Sequence, residues 1–130
     1  MTTATGRFDL TSWDDETYDE AEGATLQRVR NTKSFEGGIN GTSVADLLLA
    51  VAPQDSAAYV GIERVTAEID GRKGTFVLRH SAYHDGTEGT MQVDVVPNSG
   101  TGDLHGLTGT LDIVRSDEGE HTYTFTYDLP

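Results

Sequence analysis

Alternation of apolar and polar positions, two residues per repeat, runs through most of the chain. In "EHTYTFTYDL" the side chains of His121, Tyr123, Phe125 and Tyr127 fall on one side and Thr122, Thr124 and Thr126 on the other. That is the signature of a strand with one buried face. "GTLDIVRSDEGEHTYTF" reads as a hairpin turning at Asp117-Glu118-Gly119, and "AAYVGIERVTAEID" and "GTFVLRH" form another around "DGRKG", with the Asp-Gly chemistry of a tight turn. "TMQVDVV" is a further strand ended by Pro97, which has no N–H to give to a ladder. Two more strands lie around "GRFDLTSW" and "ATLQRVRNTKSFEG".

"SVADLLLAVAPQD" fits either a short helix ended by Pro53 or a buried strand. A strand is expected, because it continues the meander and places Ile39, Gly41, Ser43, Ala45, Leu47, Leu49 and Val51 on one face. About eight strands without helices predict an all-β fold, a closed barrel or a sandwich, as one domain over residues 1–130. The barrel is favoured because closure removes exposed edges, and eight antiparallel strands in lipocalin-like closure leave room for one small ligand.

Charge narrows the partners. Twenty-two acidic against 9 basic residues, a net charge of −13, argue against nucleic acid and against anionic membranes, which are held by Lys and Arg. "WDDETYDEAEG" concentrates acids without the alternating ligands and central glycine of a calcium loop and is expected to be a solvated loop. There is no cysteine, and "MTTATGRFDL" lacks a basic start and an apolar core, so a cytoplasmic protein without thiol chemistry is expected. A homo-oligomer is compatible with such a barrel, but an acidic surface suggests no patch for it.

"VVPNSGTGDLHGLTGTL" superficially resembles a dinucleotide fingerprint. His105 stands where the third glycine belongs, and "GLTGTLDIV" continues as a strand, so no helix N-terminus is available for a pyrophosphate. The stretch is expected to connect two strands.

Taken in order, "SWDDETY", "FEGGINGTS", "YVGIERVTAEIDGRKGTFVLRH", "VVPNSGTGDLHGLTGTL" and "HTYTFTYDL" resemble an uncharacterised bacterial family of small proteins with an allene-oxide-cyclase-like, calycin-like β-barrel. The resemblance implies such a barrel with a ligand cavity. The wider superfamily includes plant enzymes that cyclise a reactive fatty-acid epoxide and bacterial enzymes that close spirotetronate rings, so it also implies an apolar substrate held in a cyclisable shape. It implies a cavity more strongly than a reaction.

The candidate chemistry comes from the central hairpin. Tyr59, Gly61, Glu63, Val65, Ala67 and Ile69 share the more apolar face of one strand, and Phe76, Leu78 and His80 share that of the next. With a turn centred near Arg72, Glu63 and His80 stand almost opposite each other inside the barrel, a pair suited to general acid–base catalysis. The alternatives are a Glu63 paired with a buried arginine and a His80 at the strand end in solvent. Ser43, Tyr59, Phe76, Met91, Tyr123 and Phe125 fall on inward positions as ligand contacts or as core, and Trp13, which breaks the Phe8/Leu10 alternation, is placed at a barrel mouth. His80, His84, Asp85, His105 and His121 are weighed as metal ligands and set aside, since four residues of extended chain separate side chains by about 13 Å. No metal or cofactor is expected. Three functions remain: a cofactor-independent cyclase or isomerase of a polyketide-like or fatty-acid-like molecule, a lipocalin-like carrier or sensor, and an oligomerising barrel filled by its own side chains.

Overall fold

The computed structural model describes residues 1–130 and is a closed barrel of eight strands in sequence order. These are β1 (Thr2–Ala21), β2 (Ala24–Gly37), β3 (Asn40–Ala52), β4 (Ser56–Ile69), β5 (Arg72–Asp85), β6 (Gly89–Val95), β7 (Thr108–Arg115) and β8 (His121–Asp128). Every neighbouring pair is antiparallel, and β8 closes on β1 from Thr2↔Tyr127 to Phe8↔His121. The one helical segment is a 3₁₀ turn at Gly102–Leu104. No helix is long and apolar enough to cross a membrane. The all-β closed barrel expected from alternation is the fold, and "SVADLLLAVA" is strand β3.

The acidic stretch departs from expectation. It is exposed but it is not a loop, because β1 runs through it to Ala21 and turns only at Glu22-Gly23. Arginines of β2 stand opposite its carboxylates, Asp14↔Arg30 and Glu16↔Arg28, and Arg28 also lies 4.1 Å over the Tyr18 ring. Cross-strand pairing of opposite charges offsets the self-repulsion that favoured a loop. The outer wall also carries an apolar patch that composition concealed: Val44, Leu48, Val60 and Ile62 are exposed, with Leu48 directly opposite Val60.

Two ends of the barrel differ. At one, the connection from β6 to β7 folds under the strands and buries Leu104 and Leu107 completely. Its glycines allow this approach: a Cβ on Gly100 would meet the Leu104 carbonyl at 2.0 Å, and one on Gly74 the Thr101 carbonyl at 2.0 Å. Above this plug Phe8, Phe35, Val65, Phe76, Tyr123 and Phe125 form the core. The Tyr123 hydroxyl accepts from the Ile39 N–H at 2.8 Å and donates to the Glu36 carbonyl at 2.8 Å, tying β8 to the β2–β3 turn.

At the other end the wall is uneven. β1 pairs with β8 only as far as Phe8, and β6 meets β7 at a single pair, Asp94↔Thr110. The upper half of β1 therefore has a partner on one side only, and the barrel opens between β1 and β6 above the short β7–β8 hairpin.

Candidate functional site

The open half holds a cavity of about 1000 Å³. Its wall follows one line of cross-strand partners, Asp15↔Val29↔Leu47↔Gly61↔His80, all among the lining residues. A barrel filled throughout by side chains is thereby overturned.

A shift of register lets β1 contribute to that line. Leu10 pairs with Lys33 but Ser12 pairs with Thr32, so Thr11 is an extra residue, and a bulge of this kind exchanges the two faces of a strand. Beyond it Trp13 and Asp15 point inward, opposite Asn31 and Val29. On the outside, Thr11 and Ser12 both bond the Thr32 hydroxyl at 2.7 Å. The break in alternation at Trp13 was the sequence trace of this bulge.

Beneath the cavity lies a buried polar cluster. Glu63 is fully buried and His80 is 4% exposed. Glu63 Oε1 accepts from His80 Nε2 at 2.7 Å and from Lys33 Nζ at 3.2 Å, and Oε2 accepts from the Ser43 hydroxyl. Lys33 Nζ also lies 4.7 Å from the centroid of the Phe8 ring. Burial pushes the Glu63 carboxyl up, but the His80 hydrogen bond, the charges of Lys33 and His80 and the Ser43 hydrogen bond outweigh it and bring the group down to about 2. A carboxylate only accepts, so the network assigns the proton to His80 Nε2. Nδ1 makes no hydrogen bond within the protein, and it is not among the atoms sealed from solvent without a partner. It faces the cavity.

Glu63 and His80 are therefore neighbours, by a route other than the one expected. The β4–β5 turn is centred on Asp70-Gly71, with φ of 50° and 77°, so Glu63 pairs with Leu78 and Gly61 with His80. The two side chains meet on a diagonal, while the missing side chain at Gly61 makes room for Leu47 of β3, whose side chain a Cβ there would meet at 2.1 Å. The buried cation beside Glu63 is Lys33 rather than an arginine, and His80 is inside rather than at a solvated strand end.

The remaining expected residues divide in two. Ser43 belongs to the polar cluster, Tyr59 is half-buried on the inward face of β4, and Trp13 and Met91 stand at the rim, 49% and 50% exposed. Phe76, Tyr123 and Phe125 lie in the sealed core below, and of the expected residues His80 alone is on the cavity wall, with Glu63, Ser43, Tyr59, Trp13 and Met91 beside it. His84 is the last residue but one of β5, His105 lies in the β6–β7 connection, and His121 stacks on Phe8 at 4.8 Å. Lys33, Asn31 and Asp15 were not anticipated, although Val29, Asn31, Lys33 and Phe35 alternate with charged or hydroxyl positions along β2. The Asn31 amide oxygen is buried without a hydrogen-bond partner.

The cluster makes stability depend on pH in a defined direction. The folded-state Glu63 value of about 2 lies below its ordinary 4.5, so its contribution is complete above 4.5 and is lost as pH falls towards 2. The shift corresponds to about 3 kcal/mol. Urea unfolding of wild type and Glu63→Gln across that window is expected to show a steeper acid loss in wild type; equal slopes would contradict it.

No curated protein matches the chain. A family model described as "Protein of unknown function (DUF3224)" matches residues 4–127. The crystal structure of a protein of unknown function from the DUF3224 family, from Shewanella oneidensis MR-1, has 35% sequence identity and a TM-score of 0.91 over 100% of this chain and 98% of that one. With the family model spanning nearly every strand and a member sharing the barrel over its whole length, this chain belongs to the uncharacterised DUF3224 family.

Proposed function

We propose that the protein binds a small apolar molecule, polyketide-like or fatty-acid-like in its skeleton, in the open half of the barrel, and that His80 exchanges a proton with it as a cofactor-independent cyclase or isomerase. The observation that carries this reading is the free Nδ1 of His80 at the base of a cavity of about 1000 Å³. Such a volume is typical of small-molecule sites.

Glu63 holds the imidazole by Nε2 and leaves the lone pair of Nδ1 turned to the ligand. When Nδ1 takes a proton from carbon or oxygen, the carboxylate stabilises the imidazolium that forms, and return of that proton to another atom completes an isomerisation. Lys33 and Ser43 fix the carboxylate and so act as positioning residues. The wall supplies the shape that brings two ends of a flexible chain together. The absence of cysteine suits a cytoplasmic setting.

A carrier or sensor without turnover is the second reading, supported by the small exposed fraction of His80. Two measurements separate them. The neutral dye N-phenyl-1-naphthylamine is expected to brighten on binding to wild type and to His80→Gln alike. Wild type in D₂O is expected to deuterate 2-decanone next to its carbonyl, and His80→Gln is expected not to. Dye binding without His80-dependent exchange selects the carrier, and no dye binding removes both readings.

A further inference from the structure

The charges around the cavity are unequally matched. Each cation near it is already engaged: Arg28 with Glu16, Arg30 with Asp46, Arg79 with Asp94 and Lys33 with Glu63. Of the carboxylates at its wall, Glu16 and Asp46 are engaged with those arginines and Asp14 is on the outward face, opposite Arg30, whereas Asp15 has no ion-pair partner. Asp15 is on the inward face, where Oδ2 accepts from the Trp13 indole N–H at 2.9 Å and Oδ1 makes no hydrogen bond in the protein.

Deeper in, the ring nitrogen His80 Nδ1 is an acceptor in the neutral imidazole, and the Asn31 amide oxygen, behind the wall, is sealed from solvent without a donor. Asn31 is paired directly with Trp13 across β1 and β2. The cavity thus offers the Asp15 carboxylate and His80 Nδ1, and no uncommitted lysine or arginine. A ligand carboxylate entering here would lose water, meet Asp15 and find no counter-charge. An ammonium would meet a free carboxylate oxygen beside an indole ring, both of which favour a cation.

We infer that the ligand of this cavity is an apolar molecule with a cationic amine end, held by Asp15 beside Trp13, and that free carboxylic acids are rejected. The inference rests on the reading that the cavity holds a small molecule, and it narrows that molecule's class.

Trp13 is the only tryptophan, so its fluorescence reports occupancy of the mouth. Decylamine, 1-decanol and decanoate, three ten-carbon probes differing in end group, are titrated below their micelle concentrations near neutral pH. Decylamine is expected to bind more tightly than decanol, and decanoate most weakly, with amine exceeding acid by about tenfold. Asp15→Asn keeps an acceptor for the indole N–H and is expected to bring amine and alcohol together. Asp70→Asn, at the sealed end of the barrel, removes the same charge and is expected to keep the preference, which separates Asp15 from the attraction of the whole acidic protein. Equal binding of the three probes, a preference for decanoate, or the same loss in both variants overturns the amine assignment and leaves the cavity reading intact. Failure of all three probes together with the neutral dye overturns both.

Discussion

Lys33→Met is expected to lower the unfolding free energy by about 3–5 kcal/mol, because it removes the cation from a buried pair and leaves a fully buried carboxylate short of compensation. The Lys33 ammonium and the Glu63 carboxylate are 3.2 Å apart, with side-chain exposures of 9% and 0%. Methionine fills much of the space of the lysine stem, so the loss reports the charge more than a cavity. Glu63→Gln made on top of Lys33→Met removes the stranded charge, and the double variant is expected to recover most of the loss. Denaturant titration of the single and double variants checks this. A single variant within about 1 kcal/mol of wild type would show that His80 and Ser43 alone satisfy Glu63.

Phe125→Ala is expected to cost a similar amount, about 3–5 kcal/mol, through a cavity in the core. The ring is fully buried, with its centroid 6.1 Å from that of Phe76 and 5.0 Å from that of Tyr127. It sits below the polar cluster, apart from the cavity wall. Thermal or denaturant unfolding is expected to show the loss, while the folded variant binds N-phenyl-1-naphthylamine as wild type does. Weakened dye binding at unchanged stability would instead return Phe125 to the ligand, the role its alternation suggested in the sequence.

The error that experiment guards against has a physical origin. Alternation reports which side of a strand a residue occupies and nothing about its height. In a barrel with one sealed end and one open end, Phe76, Tyr123 and Phe125 share an inward side with His80, yet of these only His80 is high enough to reach the cavity. The meander, the hairpins and the inward placement of Glu63 and His80 were all legible, because they depend on side alone. Register was legible only to within a step, since the β4–β5 turn falls at Asp70-Gly71 and the glycines at 71 and 74 both fit a turn. Lys33 was hidden by its type. Lysine is almost never fully buried unless paired, and its partner lies on β4, two strands away. The acidic run misled for a related reason: the arginines opposite it lie about a dozen positions further on and become neighbours only when β2 folds back.

The extra residue in β1 links these observations. Only Leu10 and Thr11 separate the core residue Phe8 and Asp9 from Ser12 and Trp13, and within that interval the strand exchanges its sides. Without Thr11, Ser12 would follow Leu10 directly and the pairs Leu10↔Lys33 and Ser12↔Thr32 would continue unbroken, leaving Trp13 and Asp15 inward. Taking Thr11 into the ladder as an ordinary paired residue would instead turn Trp13 and Asp15 out to solvent and bring Asp14 and Glu16, now paired towards the arginines of β2, over the cavity. The character of the binding chamber is in this sense encoded by how one residue is accommodated as much as by residue identities: the same sequence with Thr11 paired instead of bulged would present the opposite face of β1 to the cavity.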